Sequence, residues 1–191
     1  MTSPPNPDYP EPVEGLSLIC HPDTPSQTVT GVKVQISRQV HTGALWIEYE
    51  VAGAKHLVLP KAQNPIRADN LWMTTCFELF VRTLGHVGYF EYNFSPSCRW
   101  AAYSFDAYRS AMRELPMHDP EIWLTTMEDY FFLAVEAGPE LAMKEIGIAL
   151  SAVIEEVDGT KSYWALRHPP GPPDFHHPDC FALNLGAPDA V

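Results

Sequence analysis

Within one short stretch the chain carries an indole, a carboxyl, an amide and a guanidinium, at Trp72, Glu78, Asn93 and Arg99. Together these groups suit a sugar. The axial C–H face of a pyranose stacks on indole, and planar charged groups make paired hydrogen bonds to vicinal hydroxyls at about 1.5–3 kcal/mol each. A simpler reading is a cross-strand Glu78–Arg99 ion pair on a solvated face, at about 0.2–1 kcal/mol. Periodicity alone favours that pairing. Glu78 and Glu91 also suggest a glycosidase pair, but such a pair needs a set separation across a bound sugar, which only a fold can supply.

What would bring these groups together is a sheet, because residues an even number apart share one side of a strand. From Trp72 onward the odd positions Met73, Thr75, Phe77, Leu79 and Val81 read as a core face. The even positions Thr74, Cys76, Glu78, Phe80 and Arg82 read as a mixed face. Gly85-His86-Val87-Gly88 closes a hairpin onto Tyr89–Phe94, which puts Tyr89, Glu91 and Asn93 on the mixed side. The strand Arg99–Phe105 then carries Arg99, Ala101 and Tyr103 on one face.

Further period-two runs predict strands over 32–37, 45–51, 56–59, 121–127, 130–137, 145–156, 160–166 and 180–185. Glu140–Val153 can also be read as a helix, but Asp158-Gly159 signals a type I′ hairpin and argues for a strand there. Over 106–115 the apolar spacing is helical, with Asp106 as N-cap and Pro116 as stop, so one short helix or helical turn is expected there. About a dozen short strands without β-α-β alternation imply two packed antiparallel sheets.

The 191 residues include 24 acidic and 12 basic side chains, a net charge of −12. A surface so acidic repels nucleic acid and anionic membrane, so neither is expected as a partner. The opening residues read as neither a basic nor an apolar leader, and a cytoplasmic chain is the expectation. Nucleotide, zincin and hydrolase signatures are missing. Phe175-His176-His177-Pro178-Asp179-Cys180 gathers metal-ligating types, yet neighbouring histidines in an extended segment point apart, and no second pair follows at zinc spacing. A structural or ligand-contacting loop is therefore expected, without a metal. His176 or Met73 could instead serve as an axial ligand to haem.

The runs Arg67–Phe80, Tyr89–Ser97, Trp100–Tyr103, Ser162–Leu166 and Pro173–His177 resemble the DOMON-like bacterial proteins, grouped with the family 9 carbohydrate-binding modules. The match spans most of residues 14–187. It implies an immunoglobulin-like antiparallel β-sandwich of about ten or more strands, and a domain that binds sugar or haem without catalysis. Trp72 would be one aromatic wall of the sugar site and Glu78 and Arg99 its charged partners. Trp164, or Phe175 in its place, would form the second wall; the family's later asparagine has no clear counterpart, and Ser162, His176 and His177 fall in its region.

The expectation is thus an all-β protein with a Pro-rich extended arm over 1–13 and a single sandwich domain over 14–191. It would bind a small carbohydrate or glycoconjugate through Trp72, Glu78, Asn93, Arg99, Trp164, Phe175, His176 and His177, with no cofactor. Haem binding, or a protein-interaction module with no small ligand, is the alternative, and a homodimer is the partner considered.

Overall fold

A computed structural model describes residues 12–137 and 144–187. The expected arm over 1–13 lies outside the described residues except at its last two positions. Among the described residues twelve strands form one curled antiparallel sheet. They are β1 (Val13–Cys20), β2 (Gly31–Arg38), β3 (Leu45–Ala52), β4 (Cys76–Thr83), β5 (Tyr89–Phe94), β6 (Trp100–Phe105), β7 (Arg113–Glu114), β8 (Ile122–Thr126), β9 (Tyr130–Ala137), β10 (Ile146–Glu155), β11 (Lys161–Ala165) and β12 (Leu183–Leu185). Their order is β7-β6-β5-β4-β10-β11-β1-β2-β3-β9-β8, with β12 added to β10.

The curl turns on β1. Its first part pairs with β2, whereas Ile19 and Cys20 pair with β11. One strand therefore belongs to both layers. Folded over in this way, the layers pack ring against ring: Tyr49 of β3 lies 4.9 Å from Phe77 of β4, and Phe77 lies 5.9 Å from Phe131 of β9. The Tyr49 hydroxyl crosses the core and donates to the Glu78 carbonyl at 2.8 Å. No helix among the described residues is long and apolar enough to cross a membrane.

Several elements differ locally from the periodic expectation. The strand β1 escapes it because a bulge between Val13 and Leu16, with Gly15 at φ 75°, interrupts the alternation. The expected strand through Met73 begins instead at Cys76, since Asn70 at φ 61° starts a 3₁₀ turn over Leu71–Met73. Residues 56–59 yield a 3₁₀ turn over Ala54–His56 and a single bridge from Leu57 to Glu156.

The helical spacing after Asp106 gives no helix. Arg109 and Ala111 take positive φ, and β7 pairs with β6. So short a helix is marginal in isolation, and strand pairing outweighs it. The Asp158-Gly159 hairpin forms, but only Gly159 has positive φ, with its N–H donating to the Glu156 carbonyl at 2.9 Å. It is therefore not the type I′ turn.

The layer containing β4, β5, β6, β10 and β11 is covered on both sides. Inward, Phe77, Leu79, Tyr92, Leu150 and Trp164 join the main core. Outward, Cys76, Phe80, Tyr89, Tyr103 and Val153 join a second cluster, completed by Phe175, Cys180 and Phe181 from the following loop. Double coverage explains why β10 reads as an unbroken apolar run compatible with either a helix or a strand.

The Tyr49→Phe substitution should lower stability by about 1 kcal/mol, because it removes a buried hydrogen bond across the core. Urea unfolding monitored by tryptophan fluorescence measures the change.

Candidate functional site

The period-two pattern of β4 and β5 sends Glu78 and Glu91 to the outer face. In register Glu78 lies opposite Asn93 and Ser151, and Glu91 opposite Phe80 and Tyr103. The two acids are thus diagonal neighbours across a strand pair, within reach of each other. The segment after β11 folds back over them. Phe175 packs 6.0 Å from Tyr163, His176 meets Phe80 and Phe105 edge-on at 5.1 and 5.3 Å, and Phe181 lies 5.9 Å from Tyr89.

Asp174 joins this segment to the turn after β6. Its carboxylate accepts hydrogen bonds from the Tyr108 hydroxyl at 2.7 Å and the Arg109 guanidinium at 2.8 Å. Burial alone would raise the Asp174 pKa, but these bonds outweigh it and hold the carboxyl below its ordinary value.

Between the loop and the sheet lies a cavity of about 380 Å³. Glu78 and Glu91 supply its acids, Trp72, Tyr103, Tyr163 and Phe175 supply aromatic faces, and Arg109 and His176 complete its polar lining. A wider hollow of about 740 Å³ sits beside β8 and β9, but its polar residues His118, Asp119 and Glu121 are solvent-exposed. Only the smaller cavity combines aromatic faces with carboxyls that are 3% and 6% exposed.

Glu78 accepts from the Ser151 hydroxyl at 3.2 Å through Oε2. Burial, then the neighbouring Glu91 charge, pushes its pKa up to about 8, with Ser151 acting in the opposite direction. Burial likewise raises Glu91 to about 7, against the hydrogen bond from Asn93 at 2.7 Å and the charge of Arg109. His176 falls to about 4 through burial and then Arg109, so it is neutral, and its 3.7 Å contact with Glu91 is not an ion pair. The Tyr89 hydroxyl accepts from the Arg109 backbone N–H at 3.2 Å, leaving its proton for His176 Nδ1 at 2.8 Å. The ring proton then resides on Nε2, facing Glu91.

Of the residues expected at the site, the fold gathers Trp72, Glu78, Phe175 and His176 around the cavity. Trp72 does so from the 3₁₀ turn rather than from a strand. Asn93 is fully buried and holds Glu91 instead of lining the space. Arg99 lies elsewhere. In register Glu78 aligns with Asn93 and then Ala101, so Arg99 sits two strands across and two residues along, about 12 Å away. Its guanidinium donates to Gln63 at 3.0 Å, whereas the Glu78 carboxyl meets Ser151, so the expected Glu78–Arg99 pair does not form. The guanidinium at the cavity belongs to Arg109.

Trp164 points into the main core and donates its indole N–H to Ser162 at 2.8 Å, while Tyr163 takes the outward position. His177 diverges from His176 and accepts the Asp179 N–H at 3.2 Å, capping the 3₁₀ turn over Pro178–Cys180. Alternation within β11 could have suggested Tyr163. Nothing local signals Arg109, which depends on a contact with Asp174 65 residues away. Among the described residues no group of three or more His, Cys, Asp or Glu side chains could hold a metal ion, and the four cysteines are free thiols.

Neither a family model nor a curated protein matches the chain. A crystal structure of a "putative carbohydrate-binding protein" from Bacteroides uniformis is similar in fold, with a TM-score of 0.59 at 14% identity. The likeness covers 89% of this chain and 82% of that one. It shows the all-β architecture.

Folded Glu78 and Glu91 retain protons that the unfolded chain gives up above ordinary carboxyl pKa values. Their contribution to stability is therefore complete at low pH and is lost as pH rises through about 7 and 8. Stability should fall by about 2 kcal/mol or more between about pH 5.5 and about pH 8.5, and Glu78→Gln should flatten the decline. His176 acts in the opposite sense, but only below about pH 6.5. Urea midpoints across this range test the assignment, and parallel wild-type and variant curves would refute it.

Proposed function

We propose that this domain binds a small carbohydrate in the cavity between the outer sheet face and the 167–182 loop, without transforming it. The observation that carries this reading is the convergence of aromatic faces on two buried carboxyls in one space of about 380 Å³. That volume lies near the lower end of small-ligand pockets, roughly 300–1,000 Å³. Trp72, 43% exposed at the mouth, offers a flat face for sugar C–H groups, and Tyr163 with Phe175 offers a second. Glu78 and Glu91 accept hydrogen bonds from sugar hydroxyls, and Arg109 donates from the rim.

The resemblance to DOMON-like proteins and family 9 carbohydrate-binding modules supports the same ligand class. So does the description of the Bacteroides uniformis protein. Haem is the less favoured ligand, since His176 engages Tyr89 through Nδ1 and turns Nε2 toward Glu91.

Affinity should lie on the order of micromolar to millimolar, because a small open site recovers little apolar area. Titration of a mono- and disaccharide panel, followed by tryptophan fluorescence and ligand-observed NMR, tests the proposal. Trp72→Ala should weaken binding by about tenfold, equivalent to about 1.4 kcal/mol of stacking. A panel without any response, or a response untouched by Trp72→Ala, overturns this function or this site respectively.

A further inference from the structure

We propose that the preferred ligand is an amino sugar whose free amine enters the cavity protonated and pairs with Glu78 and Glu91. This inference rests on the carbohydrate reading and narrows it to one chemical class.

The balance of charge at the site carries the argument. Two carboxyls, both more than nine-tenths buried, face one cavity. Glu78 has one hydrogen-bond donor, Ser151, on Oε2, and its Oε1 meets no donor among the described residues. Glu91 has Asn93 on Oε1 and neutral His176 at 3.7 Å from Oε2. Neither acid has a cation of its own.

Each nearby cation is engaged by another acid. Arg109 pairs with Asp174 at 2.8 Å, Arg67 with Glu114 at 3.4 Å, and Lys161 with Glu155 at 3.9 Å. Arg67 also lies over the Tyr103 ring at 5.1 Å. A buried acid without a counter-ion is costly in its charged form. A ligand ammonium group supplies the missing charge, so that the carboxyl pairing with it releases its proton to solvent, and it brings up to three N–H donors, where a neutral hydroxyl supplies one.

The walls are consistent with this ligand. Trp72, Tyr163 and Phe175 present aromatic rings that attract a cation, an attraction that strengthens when water is excluded. At longer range the net charge of −12 draws cationic solutes toward the protein and repels anionic ones. An N-acetylated sugar loses the charge and adds bulk, so the free amine should be preferred over both the acetylated and the hydroxyl forms.

Isothermal titration calorimetry of the full chain at about pH 6.5, where an amine of ordinary pKa is protonated, compares glucosamine, N-acetylglucosamine and glucose. The galacto and manno series run in parallel, because ring stereochemistry is a separate requirement. In at least one series the free amine should bind about tenfold or more tightly than its neutral counterparts. Glu78→Gln and Glu91→Gln should each reduce that ratio.

Equal affinity for the three members of every bound series overturns the amino-sugar assignment and leaves the carbohydrate reading standing. Binding of none of the sugars overturns both. An amine preference unchanged in both folded variants also overturns the assignment, because the charge would then be read elsewhere. The wild-type comparison decides the matter even where a variant fails to fold.

Discussion

Phe175 and Phe181 bury against the outer face of the sheet, each 8% exposed, and Cys180 is sealed beside them. Burial of a phenylalanine contributes about 1.5–3 kcal/mol. The Arg109–Asp174 pair that joins the same loop to the β6–β7 turn has a half-exposed guanidinium, and such pairs contribute about 0–1 kcal/mol. Apolar packing therefore holds the loop down, and the ion pair sets where it lands. Without this closure Glu78 and Glu91 would be ordinary surface carboxyls.

Closure in turn requires a sheet whose two faces are both apolar enough to be covered. The layer around β4 and β10 meets that demand, with Phe77 and Leu150 inward and Phe80 and Val153 outward. Its outer face then interrupts the hydrocarbon with two acids. Their cost is moderated rather than removed by Ser151 and Asn93, and the raised carboxyl pKa values are the physical record of what remains. A structural role alone would be met as well by leucine at either position. Acids retained in a lined cavity suit recognition of a ligand.

Much of the architecture was legible in local pattern. The hairpin between β4 and β5 and the sorting of Phe77 from Glu78 follow from alternation over a few residues, while β10 is marked as a strand by the Asp158-Gly159 turn that joins it to β11. The bulged β1 was hidden because one inserted residue resets the alternation. The turn holding Arg109 was hidden because its positive φ angles answer to neighbouring segments, while its apolar spacing mimics a helix.

The site divides along the same line. The chain by itself determined that Glu78, Glu91 and Asn93 share one side of a strand pair, a consequence of the backbone's two-residue repeat. The divergence of His176 and His177 arises instead from a turn, in which the His177 N–H donates to the Asp174 carbonyl at 3.4 Å. Tertiary structure decided that Arg109 and not Arg99 meets the cavity, that Tyr163 faces out while Trp164 faces in, and that a loop covers the acids. Those outcomes depend on strand register, on the sense of the sheet's curl and on a contact 65 residues apart. No local repeat encodes these, because they arise only when distant surfaces meet and exclude water.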